Sequence, residues 1–410
     1  MPVYARLAFR NIFRNRMRTL ITLLVVGSGA AAMIIAGGFI VDTISQVREM
    51  TIRDRLGHLR IYKNGFLEQG VLQPYGYMIG DVTGLLKEIS AQPHVIAAGP
   101  RLSYFGLIGN GDLTLSFFMQ AFDPAREDRV RNTASLVAGE FTQPGKPFDV
   151  MLGEGLAKAL NLRVGDSAVL LGNTERGGMN AADVNVGGIF RTISSEFDNG
   201  AIRAPIQLAQ RLLRVDGAQM IIVFLDRTDA TDGVKQNLLR LFKARGLDYE
   251  IQAWHEMPEA TVITTTARVY ESIYRVIKII LFLFIILSII NTMNMAVLER
   301  VGEIGTLMAL GTQRRGILKM FIAEGMAIGV LGGVAGCAAG CLLAILISAV
   351  GIHMPSPPGS SMEWIAHIAL TPGTLLTAFA MALATSLMAS ILPAYKASRM
   401  EVGEALRRNI

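Results

Sequence analysis

The sequence predicts an α-helical membrane protein with four transmembrane helices plus a large α+β extracytoplasmic domain between helices 1 and 2. Three observations predict it. Four long runs, 19–41, 276–298, 321–350 and 372–393, are nearly free of charge. A long excursion, 42–267, separates the first two and mixes strand-like with helix-like patterns. Arginine and lysine gather in the segments that one side of a membrane would hold.

Composition agrees with this reading. Of 410 residues, 51% are hydrophobic and only 18% charged, and the mean hydropathy is +0.41. Each run is long enough to cross a hydrocarbon core of about 30 Å as a helix. The second contains only Lys278, near its outer end, where a long side chain reaches the interface. The third contains only Glu324, near its inner end.

The elements follow in chain order. Residues 1–18 form a basic, amphipathic cytoplasmic leader, carrying Arg6, Arg10, Arg14, Arg16 and Arg18 with no acidic residue. The first span reads as an uncleaved anchor: its apolar run is longer than a signal peptide's, and Ala30-Ala31-Ala32 falls mid-span. Within 42–267, residues 43–55 continue the first span as a helical stalk. Strands are expected at 58–62, 102–108, 113–121, 167–171, 184–190 and 220–225, and helices at 82–90, 154–160, 206–213 and 233–245. Without strict alternation this is an α+β domain in two lobes, with a boundary near Gln143-Pro144-Gly145. Residues 261–275 extend the second span outward as a second stalk.

The inner loop, 299–319, carries Arg300, Arg314, Arg315 and Lys319. The tail, 394–410, carries Lys396, Arg399, Arg407 and Arg408. The outer loop, 351–369, has no Lys or Arg. The positive-inside rule then places both termini and the 299–319 loop in the cytoplasm. The net charge of +6 reflects these anchors and calls for no nucleic acid. Cys337 and Cys341 both fall inside the third span, so no disulfide staples the outer domain, and as small residues on one helix face they call for no metal.

Catalytic motifs are absent. Gly172-Asn173-Thr174-Glu175-Arg176-Gly177 starts like a phosphate loop, but Gly178-Met179 follow where Lys and Ser/Thr are required. His255-Glu256 lacks the second histidine of a zinc-protease helix, and Pro258 interrupts it. No Gly-x-Ser-x-Gly elbow occurs. His58, His94, His353 and His367 are scattered. The 152–166 segment reads as a helix and a Gly-Asp turn into a strand, with no ligand. Asn291 and Asn294, on one face of the second span, suit helix-to-helix hydrogen bonds, and no acidic residue or histidine at mid-depth offers an ion path. The chain reads as no enzyme, with no metal and no cofactor of its own.

The inner loop is instead patterned like an amphipathic helix. In Glu299-Arg300-Val301-Gly302-Glu303-Ile304-Gly305-Thr306-Leu307-Met308-Ala309-Leu310-Gly311, an apolar stripe is expected from Ile304, Leu307, Met308 and Leu310, with a glycine C-cap at Gly311. Such a helix on the inner face suits docking to a soluble partner. In the third span, Gly325, Gly329 and Gly333 recur every four residues, as do Gly332, Gly336 and Gly340. Small faces of this kind let helices approach closely, whether within the chain or with a second subunit.

With these motifs the chain resembles the FtsX-like permeases of ABC systems, a family that includes the LolC/LolE lipoprotein-release subunits and the membrane part of MacB. The leader Leu7-Ala8-Phe9-Arg10-Asn11-Ile12-Phe13-Arg14-Asn15-Arg16-Met17-Arg18-Thr19 resembles the family's Arg/Asn-rich first helix. Glu299, Arg300, Glu303, Ile304, Gly305, Ala309, Leu310 and Gly311, continued by Arg314 and Arg315, resemble its coupling helix. Pro393-Ala394-Tyr395-Lys396-Ala397-Ser398-Arg399 with Glu404-Ala405-Leu406-Arg407 resembles its closing motif. Gly302 stands where the family commonly has a basic residue, and Val402-Gly403 replaces a proline approach. The outer segments Gly57-His58-Leu59-Arg60-Ile61-Tyr62 and 152–166 lean toward the LolC/LolE branch.

The resemblance implies a multi-pass protein of the bacterial inner membrane. Its implied partners are two cytoplasmic ABC ATPase subunits, which hold the ATP and Mg, and a second permease copy or a homologous permease. It also implies a periplasmic carrier or adaptor and a lipophilic or lipoprotein cargo. Residues 299–311 with Arg314 and Arg315, including Leu307, would then couple to the ATPase. Three functions stay open at this point: lipoprotein release, MacB-like export with an adaptor, and signalling that activates a cell-wall hydrolase.

Overall fold

The computed structural model describes residues 16–70, 73–127, 135–192, 194–354 and 364–400. Most of the leader motif and the Glu404–Arg407 part of the tail lie outside them. The chain divides into two compact units, one of Met1–Ser45, Thr266–His353 and Ile365–Ile410, the other of Gln46–Thr265 and Met354–Trp364.

Among the described residues, four helices are long and apolar enough to cross a membrane, at Arg16–Leu56, Pro258–Glu299, Arg314–Val350 and Pro372–Ser398. The first is α-helical over Arg16–Thr51 and ends in a π-helical turn, Ile52–Leu56. The second is one α-helix over Thr261–Glu299. The fourth opens on Pro372, where a missing N–H costs nothing, and Thr371 accepts a bond from the Thr374 N–H at 3.2 Å. All four contribute to one packed centre through Val26 and Ala30, Ile285, Ile289 and Met293, Ile328, and Ala382 and Ala389.

The third helix packs two glycine rows against two different neighbours. A Cβ on Gly325 would come within 2.6 Å of Ser390, and one on Gly329 within 3.0 Å of Ser386, both on the fourth helix. A Cβ on Gly333 would reach Phe379 of that same helix. Gly332, Gly336 and Gly340 instead face Val26, Gly27 and Ala31 of the first helix. Both rows therefore meet spans of this same chain. The hydrogen bonds expected of Asn291 and Asn294 do not form among the described residues. The buried stripe of the second helix runs through Ile285, Ile289 and Met293, and leaves Asn291 on the exposed side.

The outer unit is built on a single ten-stranded sheet. Its strands are β1 (Leu59–Lys63), β2 (Val95–Gly109), β3 (Thr114–Phe122), β4 (Ser135–Gly139), β5 (Asp149–Gly153), β6 (Ser167–Asn173), β7 (Met179–Arg191), β8 (Ala201–Pro205), β9 (Met220–Leu225) and β10 (Tyr249–Ala253). The order is β10-β1-β9-β2-β3-β8-β5-β7-β4, with β6 bridging β2 and β7. Among the described residues, only β3–β8 and β5–β7 are parallel. The lobe boundary expected near residue 143 is not there. The strands on either side of that turn, β4 and β5, both pair with β7 in the one sheet. Two apolar clusters share the sheet instead, one around Leu102, Phe117 and Leu152, the other around Leu59, Ile221 and Leu238.

Strands β4, β5, β8 and β10 were not expected. Each is only five residues long, and β4 is exposed throughout while β5 is almost wholly buried, so neither shows an alternating pattern. The strand expected at 102–108 is the end of the much longer β2.

Candidate coupling surface and the ion pairs behind it

The inner segment is not one helix. The second span ends at Glu299, Arg300 turns out of helical geometry (φ −111°, ψ 15°), and a separate helix runs Val301–Ala309. Its end is a Schellman motif: Thr312 N–H bonds to Leu307 O at 3.0 Å and Gly311 N–H to Met308 O at 3.0 Å. Gly311 adopts φ +93°, which glycine takes without strain.

Burial sorts this helix into two faces. Val301, Gly302, Ile304 and Gly305 are buried. Ile304 joins a cluster with Val297, Ile317, Phe321 and Ala394 that ties the short helix to the inner ends of the second, third and fourth spans. Glu303, Thr306, Leu307 and Leu310 are exposed, and their three- and four-residue spacing makes them one face. The expected stripe of Ile304, Leu307, Met308 and Leu310 is thus split. Ile304 points inward, whereas Leu307 points outward and Leu310 is 79% exposed. Buried glycines explain the split, because their lack of a side chain lets the 301–305 side settle onto the bundle. Gly302, where the family's pattern has a basic residue, lies on that packed side. Arg314 and Arg315 are exposed at the start of the third long helix.

Two residues of the motif have partners that sequence reasoning missed. Arg300 is buried, and its Nη1 donates to Glu324 Oε2 at 3.4 Å. Glu299 accepts from Arg18 Nη1 at 2.7 Å. Arg300 is therefore packed inward, off the exposed face of Glu303, Leu307 and Leu310, which corrects its expected place on that surface. It joins the hinge between two helices to the third span. The available signal was Glu324, an acid that an apolar run retains only at a cost unless a cation pairs with it.

The outer unit holds one buried histidine network. His58 Nδ1 accepts from Leu225 N–H at 3.1 Å, and its Nε2 lies 3.1 Å from the Thr228 hydroxyl, which in turn donates to Glu49. Burial pushes the His58 pKa down to about 4, against a weaker upward pull from Glu49. A neutral ring fits these bonds, with Nδ1 accepting and Nε2 donating.

Comparison with known proteins gives the geometry its relatives. Residues 19–241 match the model of the MacB-like periplasmic core domain, and residues 275–402 match the FtsX-like permease C-terminal model. The chain is 24% identical over 353 residues to the lipoprotein-releasing system transmembrane protein LolE of Haemophilus influenzae, covering 78% of this chain and 80% of that one. It is 24% identical to LolC of Neisseria meningitidis, over 80% and 81% of the two chains. A shorter stretch of 120 residues is 37% identical to the macrolide export ATP-binding/permease protein MacB of Brucella abortus, 29% of this chain and 16% of that one.

Proposed function

The chain belongs to the FtsX-like permease family with a MacB-like periplasmic core domain, and we propose that it couples a separate cytoplasmic ATPase to movement of its outer domain. It is an ABC transporter permease of the LolC, LolE and MacB type. The observation that carries the coupling is the exposed face of Glu303, Thr306, Leu307 and Leu310, on a helix whose other face is packed on the bundle. An apolar side chain as exposed as Leu310, on the same face as the Glu303 carboxylate, offers a partner an anchor and a charge. In this reading the face and both termini lie in the cytoplasm, which the arginine-rich segments support. The outer unit then lies on the far side of a bacterial inner membrane.

The cargo in this reading is a lipoprotein or another lipophilic molecule taken from the membrane. The similarity to LolC and LolE supports it, since it runs over about four fifths of both chains. A second permease, identical or homologous, completes the assembly. The match of residues 19–241 to the MacB-like core favours a second reading, export with a periplasmic adaptor.

The test is co-purification in nanodiscs from the native host. Leu310→Asp and Glu303→Lys alter exposed groups, so the fold should persist while ATPase recovery falls at least about tenfold, a loss of roughly 1.4 kcal/mol. Undiminished recovery with both variants would sink the coupling reading. A bound lipoprotein with a second permease supports release, whereas an adaptor in its place moves the assignment to export.

A further inference from the structure

Strand register places a distinct set of side chains on the face of the sheet opposite the first apolar cluster. Along β2, Arg101, Ser103 and Phe105 alternate with the core residues Leu102 and Tyr104. Their neighbours in register are Met220 on β9 and Gln120 and Phe118 on β3. These six residues line part of a cavity of about 990 Å³ within the outer unit, whose lining also takes in Leu102 and Tyr104 from the other face of β2. Ligand pockets commonly hold about 300–1,000 Å³, so this one has room for a long-chain molecule.

One wall is a ladder of aromatic rings ending in a cation. Phe105 and Phe118 have ring centroids 5.0 Å apart, and Phe118 and Phe197 6.2 Å apart. The Arg55 guanidinium lies over Phe197, 4.4 Å from its centroid. Phe105 is 80% exposed, which is costly for a phenyl ring with nothing to cover it.

The polar groups differ in how far they are committed. Arg60 donates to Glu259 at 3.0 Å, and Arg101 is paired with buried Glu127. The Arg55 side chain donates no hydrogen bond and forms no ion pair among the described residues, although the Glu259, Asp54 and Glu196 carboxylates act on it at longer range. Gln120 is 6% exposed, and its Oε1 has no hydrogen-bond partner among the described residues. A buried carbonyl oxygen without a donor costs free energy that a ligand N–H or O–H would recover.

We propose that this cavity binds an acyl amphiphile with an anionic headgroup. Its chain would lie along Phe105, Phe118 and Phe197, its carboxylate or phosphate would meet Arg55, and a donor near the head would satisfy Gln120. Arg55 sits on the π-helical turn that directly extends the Arg16–Thr51 helix, so an occupied site touches the end of a membrane helix. The inference does not depend on the cargo reading, because occupancy needs neither ATPase nor transport.

The experiment is photolabelling of the full chain in nanodiscs of zwitterionic lipid, with mapping of the labelled peptides. One probe is a fatty acid with a diazirine midway along its chain, and a second is phosphatidic acid carrying the same chain. A third is the matching fatty amine. The expected result is labelling of peptides containing Phe105, Phe118 or Phe197 by an anionic probe. It should fall about tenfold in Arg55→Gln, as loss of a charge-assisted bond implies, and rise in Glu196→Gln. Labelling by the fatty acid identifies a free monoacyl anion as occupant, and labelling by phosphatidic acid alone identifies a membrane lipid. Labels confined to the spanning helices would overturn the proposal. So would equal labelling by the amine, or labelling that neither substitution changes.

Discussion

Arg300 and Glu324 show how one residue pair fixes the coupling segment. Both are buried, and they form an ion pair across a 24-residue separation. Removing one member breaks a buried ion pair, which typically costs about 3–5 kcal/mol. Glu324→Gln should therefore loosen the 299–311 segment, read as faster proteolysis at Arg300 and a lower thermal midpoint in detergent. The double variant Arg300→Met with Glu324→Leu should recover most of that loss, since replacing both charges by apolar groups restores packing. If the double variant is as unstable as the single one, the pair is not what holds the segment. His58 supports a pH prediction by the same logic of burial. An unfolded histidine protonates near 6.5, whereas folded His58 does so only at about 4. As pH falls, the unfolded chain takes up its proton first. The contribution of His58 to stability is full above about pH 6.5, declines between 6.5 and 4, and levels off below, for a total of about 3 kcal/mol. Thermal unfolding followed through the outer unit should show a flatter pH slope across that window in His58→Gln than in the natural chain.

At the scale of elements, the glycine rows of the third helix behave as two seams. Gly336 is the tightest point toward the first helix, where a Cβ would lie 2.5 Å from Gly27 O and 2.7 Å from Gly27 Cα. Backbone atoms on a packed helix cannot rotate aside, so Gly336→Ala should force the two helices apart at a cost of about 1–3 kcal/mol. Gly373→Ala, whose Cβ would meet nothing closer than 3.9 Å, is the matched control and should be neutral. A smaller penalty at Gly336 than at Gly373 would contradict the close approach. The four-residue spacing was legible in the sequence; the identity of the two neighbours was not, since a helix face says that something packs on it without naming it. The short coupling helix was legible in the same partial way. Its C-terminal stop follows from Gly311. The inward turn of Ile304 against the outward turn of Leu310 depends on how Gly302 and Gly305 seat on the bundle, and only tertiary packing decides that. Short β4 and β8 carry too few residues for a period to emerge, whereas β6 and β9 are backed by recognisable apolar runs.

At the scale of the whole molecule, the spans were the most legible part, because a membrane demands long uncharged helices and few other constraints produce them. The outer unit was less so: a mixed sheet in which β2 pairs with β3, β6 and β9 depends on contacts far apart in sequence. Two helices run from apolar to polar sequence, Arg16–Thr51 and Thr261–Glu299; no proline interrupts either, and only the first carries a glycine pair, Gly37-Gly38. A continuous helix transmits rotation and translation because each turn is hydrogen-bonded to the next, whereas a pair of glycines introduces a soft joint. Replacing Arg268 and Val269 with Gly-Gly places such a joint in the exposed part of the second helix, outside its apolar run. If the helix carries movement outward, the variant should still bind its ATPase and support hydrolysis, while an ATP-dependent distance change measured between spin labels in the outer unit disappears. Asp112→Gly, which makes a glycine pair with Gly111 in a surface turn of the outer unit, should leave that change intact. An unaltered ATP-dependent signal in the Arg268-Val269 variant would mean that the second helix is only a pedestal.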